Sequence, residues 1–145
     1  LAARNLHLTV LTNCLPVAHA LSTNAHCRVI LCPGDYIARE VGTFGTDTIE
    51  FVAKFKADKA FIGAGGLGHD GVTDADSMGC SVKRAMMQRA DRTILLLDSS
   101  KYDRMHFERI CELADIDTLV SEAAPPKKLA ASLRLAGVQV AVAKA

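Results

Sequence analysis

The chain has 145 residues, enough for one domain with a real core; half are hydrophobic, only 5% are aromatic and none is Trp. Such a core is aliphatic and alanine-rich, as where helices pack closely on a parallel sheet. Lys plus Arg number 17 against 16 Asp plus Glu, a formal charge of +1, which excludes a broad electrostatic attraction to nucleic acid or to an anionic membrane.

No apolar run approaches the roughly 20 residues that span a bilayer, so no membrane partner is expected. Residues 1–5 lack the charged start, apolar stretch and cleavage pattern of a signal peptide. The five cysteines (Cys14, Cys27, Cys32, Cys80, Cys111) are scattered without a CxxC pair. They read as free, mostly buried thiols in a reducing cytoplasm.

In chain order, residues 6–12 (LHLTVLT) read as a strand. Asn13 then caps a short helix over 15–21, with Pro16 early enough to do no harm. Residues 28–32 (RVILC) form a second strand, closed by Pro33-Gly34. The stretch 35–44 shows no period and reads as a loop, and a helix over 47–56 follows. A third strand, 59–63 (KAFIG), runs into a glycine-rich loop. Beyond it comes a helix over 77–89. Residues 92–98 (RTILLLD) are apolar on both faces, the mark of a central strand. A turn at 99–103, a short strand at 107–111 and a hinge at 112–117 lead to the strand 118–121. Pro125-Pro126 opens a last helix, Gly137 caps its end, and 138–143 (VQVAVA) is the final strand.

Strands alternating with helices of about 10 residues predict βαβ units, hence a single α/β domain over 1–145 with a mainly parallel, Rossmann-like sheet between two helical layers. In open parallel sheets, ligands bind beyond the carboxyl ends of strands. Three loops here leave such ends with polar or glycine residues, and they are expected to converge on one side. They are Thr12-Asn13, the stretch 63–73 with five of the ten glycines, and Asp98-Ser99-Ser100-Lys101. The glycine stretch suits an anion or polyol cradle, since bare N–H groups approach phosphate or hydroxyl oxygens closely. It fits a tight turn needing positive φ equally well, for it matches neither the dinucleotide fingerprint nor the GxxxxGK[ST] phosphate loop. Lys101 offers a mobile cation, and Asp98 with two hydroxyls suits a sugar; the same four residues also make an ordinary Asp/Ser turn.

Catalytic patterns are sparse. His69-Asp70 has no HExxH or Cys/His partner set, so neither a metal nor a cofactor is expected. Cys80, near a helix start, is the one cysteine placed to be a nucleophile.

In order, LTVLTNCLPVAHAL (8–21), ADKAFIGAGGL (57–67), GVT (71–73), VKRAMMQRA (82–90), TILLLDSSKYDR (93–104) and IDTLVSEAAPP (116–126) resemble the C-terminal effector-sensing domain of DeoR-family bacterial transcription regulators. GVQVAVA (137–143) fits the family's ending, so the resemblance covers nearly the whole chain. It implies a fold like ribose-5-phosphate isomerase and the CoA transferases. It also implies a regulator, usually a repressor, of carbohydrate metabolism, with a phosphorylated sugar or related metabolite as effector. Family members form dimers or higher oligomers in the cytoplasm. DNA would be bound only through an N-terminal winged helix-turn-helix, expected, with the family's first phosphate loop, ahead of Leu1.

The effector residues so implied are Thr12, Asn13, Gly34, Gly63, Gly65, Gly66, Asp70, Gly71, Thr73, Lys83, Asp98 and Lys101, with Lys101 meeting the phosphate. Where the family commonly reads GADGID, this chain has Gly63-Ala64-Gly65-Gly66-Leu67-Gly68, so two usual Asp positions are Gly65 and Gly68. The usual Gly-Gly after the second strand is Pro33-Gly34, and the Glu upstream of KRAM is Gly79. Glycine cannot serve as a base, which disfavours the rival reading, a sugar-phosphate isomerase-like enzyme, and leaves no catalytic residue expected. A third reading is a domain of oligomer assembly alone.

Overall fold

The computed structural model describes residues 6–143. The chain packs as two compact units that divide between Phe55 and Lys56.

In the first unit, β1 (Leu8–Thr12) and β2 (Cys27–Leu31) pair in parallel, joined by α1 (Leu15–Ser22). Cys14, not Asn13, is the N-cap of α1, and it makes no side-chain cap. Asn13 is drawn away because its amide donates to the Thr43 carbonyl (2.9 Å) while its own carbonyl accepts from Thr43 N–H (2.8 Å). The stretch 35–44 is not a loop but a short antiparallel hairpin of β3 (Asp35–Ile37) and β4 (Gly42–Phe44). Three-residue strands are too short to show a period of two. Helix α2 (Thr46–Ala53) follows directly.

The second unit carries a four-stranded, all-parallel sheet in the order β11 (Gln139–Val142), β10 (Thr118–Ser121), β8 (Ala90–Leu96), β5 (Ala57–Ile62). Helices flank it, so the chain has the mixed α/β, Rossmann-like architecture expected. The apolar run 92–98 falls on β8, which is hydrogen-bonded on both sides, by β5 and β10. Register places Ile62, Leu95 and Leu119 side by side on one face, where all three are buried. They form the core with Cys80 of α3 (Ser77–Gln88) and Leu129 and Leu133 of α4 (Lys127–Leu135). Phe61 and Leu96 alternate to the other face and stay about half exposed.

Local chemistry explains both helix ends. Asp76 caps α3 by accepting Gly79 N–H at 2.8 Å. After α4, Gly137 takes φ +82°, one residue beyond the C-cap Ala136, where a left-handed residue closes the helix.

Much of the glycine stretch is also regular. Residues 66–74 form a hairpin, β6 (Gly66–Gly68) and β7 (Gly71–Asp74), which β9 (Glu108–Cys111) extends to three antiparallel strands. Among the described residues, no helix is long and apolar enough to cross a membrane.

Candidate ligand site

Parallel, in-register strands end at one edge, and the second unit shows what they bring there. Gly63 follows β5, Asp98 lies two residues past β8, and Glu122 follows β10. The Asp98-Ser99-Ser100-Lys101 turn is a single 3-10 turn over Ser99–Lys101. Asp98 caps it, accepting from the N–H and the hydroxyl of Ser100. Those bonds, the hydroxyl's first, hold the Asp98 carboxyl below its usual range. Glu122 reaches across from the neighbouring strand end and accepts from Ser99 N–H (2.9 Å) and Ser99 Oγ (2.5 Å). These bonds take its pKa from 4.5 down to about 2. The turn's carboxylates and amides thus satisfy one another. Lys101 forms no ion pair among the described residues, and its charge adds to the lowering of the Asp98 carboxyl.

The hairpin packs under the segment that follows this turn. Asp103 N–H donates to the Leu67 carbonyl (2.9 Å), and His106 N–H donates to Thr73 Oγ1 (2.9 Å). Methyl groups at Gly65, Gly66 or Gly68 would run into His106, the Arg104 carbonyl and Met105 respectively. Gly66, which faces the Arg104 backbone, is therefore needed to admit residues 104–106 against the hairpin, whereas at Gly65 and Gly68 a side chain would have to shift. Gly65 N–H is engaged by the Thr73 carbonyl (3.1 Å), and Thr73 is buried. Asp70 and His69 form the exposed hairpin tip, paired with each other at 3.1 Å, and Gly71 follows at φ +127°.

Lys83 projects from α3 to Asp74 at the end of β7, 2.5 Å away, with both side chains mostly buried. Burial alone would raise the Asp74 pKa. The Lys83 hydrogen bond and charge, with the Ala75 N–H, outweigh it and hold the carboxyl below its ordinary value. Lys83 is thus committed to Asp74.

Thr12, Asn13 and Gly34 belong to the first unit, where Thr43 ties their strand ends together. Cys32 N–H donates to the Thr12 carbonyl (2.8 Å), and Thr43 Oγ1 donates to the Cys32 carbonyl (2.8 Å). Thr12 Oγ1 accepts from Cys14 N–H (3.1 Å). Gly34, at φ +138°, borders a cavity of about 180 Å³ with Asp35, Phe44, Gly45, Thr46 and Asp47. A side chain at Gly34 would collide with Thr48 Oγ1 and the Phe44 carbonyl.

Cys80 is not a nucleophile. It is fully buried, and desolvation, with the charges of Glu108 and Asp74, pushes its thiol pKa up. Glu122 and His106 are additions that the residue patterns did not single out. Glu122 was within reach of the strand-end rule, since it directly follows a parallel strand. His106 carries no local signal, because its partners Gly65 and Thr73 lie more than 30 residues away.

The model of the DeoR C terminal sensor domain matches residues 1–123. The HTH-type transcriptional repressor GlcR of Bacillus subtilis (strain 168) is 32% identical over 134 residues, 92% of this chain and 52% of that protein. The glycerol-3-phosphate regulon repressor of Escherichia coli (strain K12) is 29% identical over 121 residues, 83% of this chain and 48% of that protein. The HTH-type transcriptional repressor CsqR of the same organism is 29% identical over 135 residues, 92% of this chain and 52% of that protein. The chain spans about half the length of these curated relatives. With a sensor-domain match over residues 1–123, this chain belongs to the family of DeoR C-terminal sensor domains.

Proposed function

We propose that this chain is the effector-sensing part of a transcription regulator, and that it binds a phosphorylated sugar or a related phosphorylated metabolite. The observation that carries this reading is Lys101. It is an ammonium without an ion-pair partner among the described residues, at the carboxyl edge of a parallel sheet, on a turn whose other polar groups are satisfied. A mobile cation so placed suits a phosphate. Gly63, directly after β5, borders the same edge. The relative named for a glycerol-3-phosphate regulon fits this ligand class.

Sensing is favoured over chemistry because positions 65 and 68 carry no carboxylate and Asp74 is bound to Lys83. DNA would be contacted by a segment outside these residues, in a cytoplasmic homo-oligomer. We also propose Thr12, Asn13 and Gly34, all in the first unit, as effector-contacting residues.

A thermal-shift screen of sugar phosphates tests the reading. A ligand at 100 times its Kd adds about 2.7 kcal/mol to stability. Stabilisation by one or more phosphorylated sugars, absent with the unphosphorylated sugar, is the expected result. No response to any of them would sink the reading.

A further inference from the structure

Gly65 lacks a side chain, and two other parts of the chain converge on the place where one would start. A Cβ at Gly65 would lie 2.8 Å from His106 Cδ2, 2.9 Å from His106 Nε2 and 3.1 Å from Asp74 Oδ1. The imidazole is fixed there twice: its backbone N–H donates to Thr73 Oγ1, and Nε2 stands 3.0 Å from the Gly65 carbonyl oxygen. A carbonyl oxygen only accepts, so Nε2 carries the proton. Nδ1 is then the ring's open position, an acceptor when the ring is neutral and a donor when it is charged.

The charge balance sets the kind of ligand. Asp74 is the carboxylate next to this ring, and Lys83 already neutralises it at 2.5 Å. The wall above Gly65 is therefore neutral with a neutral imidazole and positive with a charged one. A carboxylate side chain at position 65 would instead have made it negative and offered two acceptors to sugar hydroxyls.

We propose that His106 determines the specificity of this loop and selects a ligand bearing a second anionic group, a carboxylate or another phosphate, beside the phosphate met by Lys101. This rests on the reading that Lys101 and the glycine loop bind a phosphorylated ligand. Residues 104–106 are then part of the ligand site, seated over Gly66, where a Cβ would meet the Arg104 backbone.

Two matched pairs of probes test it by calorimetry on the full-length protein: glycerol 3-phosphate against 3-phosphoglycerate, and glucose 6-phosphate against 6-phosphogluconate. A charge-assisted hydrogen bond predicts that the carboxylate member of a bound pair binds about tenfold tighter. His106→Ala should abolish that preference. His106→Gln, which keeps an N–H for the Gly65 carbonyl but never carries charge, must lose the preference too, so a folding defect in one variant does not decide the matter. Binding without a carboxylate preference, or a preference that survives both substitutions, overturns the proposal while the phosphate-sensing reading stands. Absence of binding by all four probes to the unaltered protein counts against that reading, and the proposal falls with it.

Discussion

Glu122 shows how much one side chain organises at a strand end. Both its oxygens are taken by Ser99, which pins the turn carrying Lys101 to the neighbouring strand. Its folded-state pKa of about 2 lies below the ordinary 4.5. The stabilisation linked to that depression is therefore present above pH 4.5 and fades as pH falls toward 2. Carboxyl-detected NMR titration should find the Glu122 midpoint near 2, and Ser99→Ala should return it toward 4.5. A midpoint unmoved by Ser99→Ala would show that the Ser99 hydroxyl is not its main cause. The turn that holds Asp98 and Lys101 was legible in the sequence because a polar turn after the longest apolar strand is a local pattern. His106 was not. Its placement depends on a contact between residues 41 apart in the chain, and no periodicity records such a pairing.

At the scale of elements, the parallel strands were the easiest to read. The run 92–98 is apolar on both faces because β8 has a strand on each side. The two hairpins were not readable, for opposite reasons. Residues 35–44 form strands too short to alternate, and the glycines of 66–71 carry no side chains with which to alternate. At Gly66 the absent side chain instead reflects the Arg104 backbone lying over it. Gly34 and Gly137 make a paired test of what a glycine does. Both have positive φ, but a side chain at Gly34 meets backbone and Thr48, whereas nothing lies within 4 Å at Gly137. Gly137→Ala should cost about 1 kcal/mol, the strain of a left-handed residue alone. Gly34→Ala should cost at least about 2 kcal/mol more in urea denaturation, since strain and overlap add. Equal costs would mean that the packing around Gly34 yields freely.

Across the whole molecule, the core is aliphatic, as the lack of Trp and the low aromatic content required. Leu95 and Leu119 are fully buried on adjacent strands, so truncating either to Ala should cost about 2–5 kcal/mol by chemical denaturation. The scattered cysteines take two kinds of environment. Cys32, Cys80 and Cys111 are buried, and burial pushes the Cys32 and Cys111 thiols up to about 11 and about 12. In the native protein only the half-buried Cys14 and Cys27 should react with a thiol reagent within minutes, the other three following only on unfolding. Rapid labelling of Cys80 would contradict the buried core of α3. None of this bears on the ligand, whose place in the account depends on Lys101. The most direct test is a calorimetric titration, at about 0.15 M salt, of the phosphorylated ligand found by screening into the unaltered protein and into Lys101→Ala. Loss of a charge-assisted bond to phosphate predicts Kd weakened by about tenfold or more in the variant, with the ligand-free melting temperature little changed. An unchanged Kd would contradict the assignment of Lys101 as the phosphate-binding group.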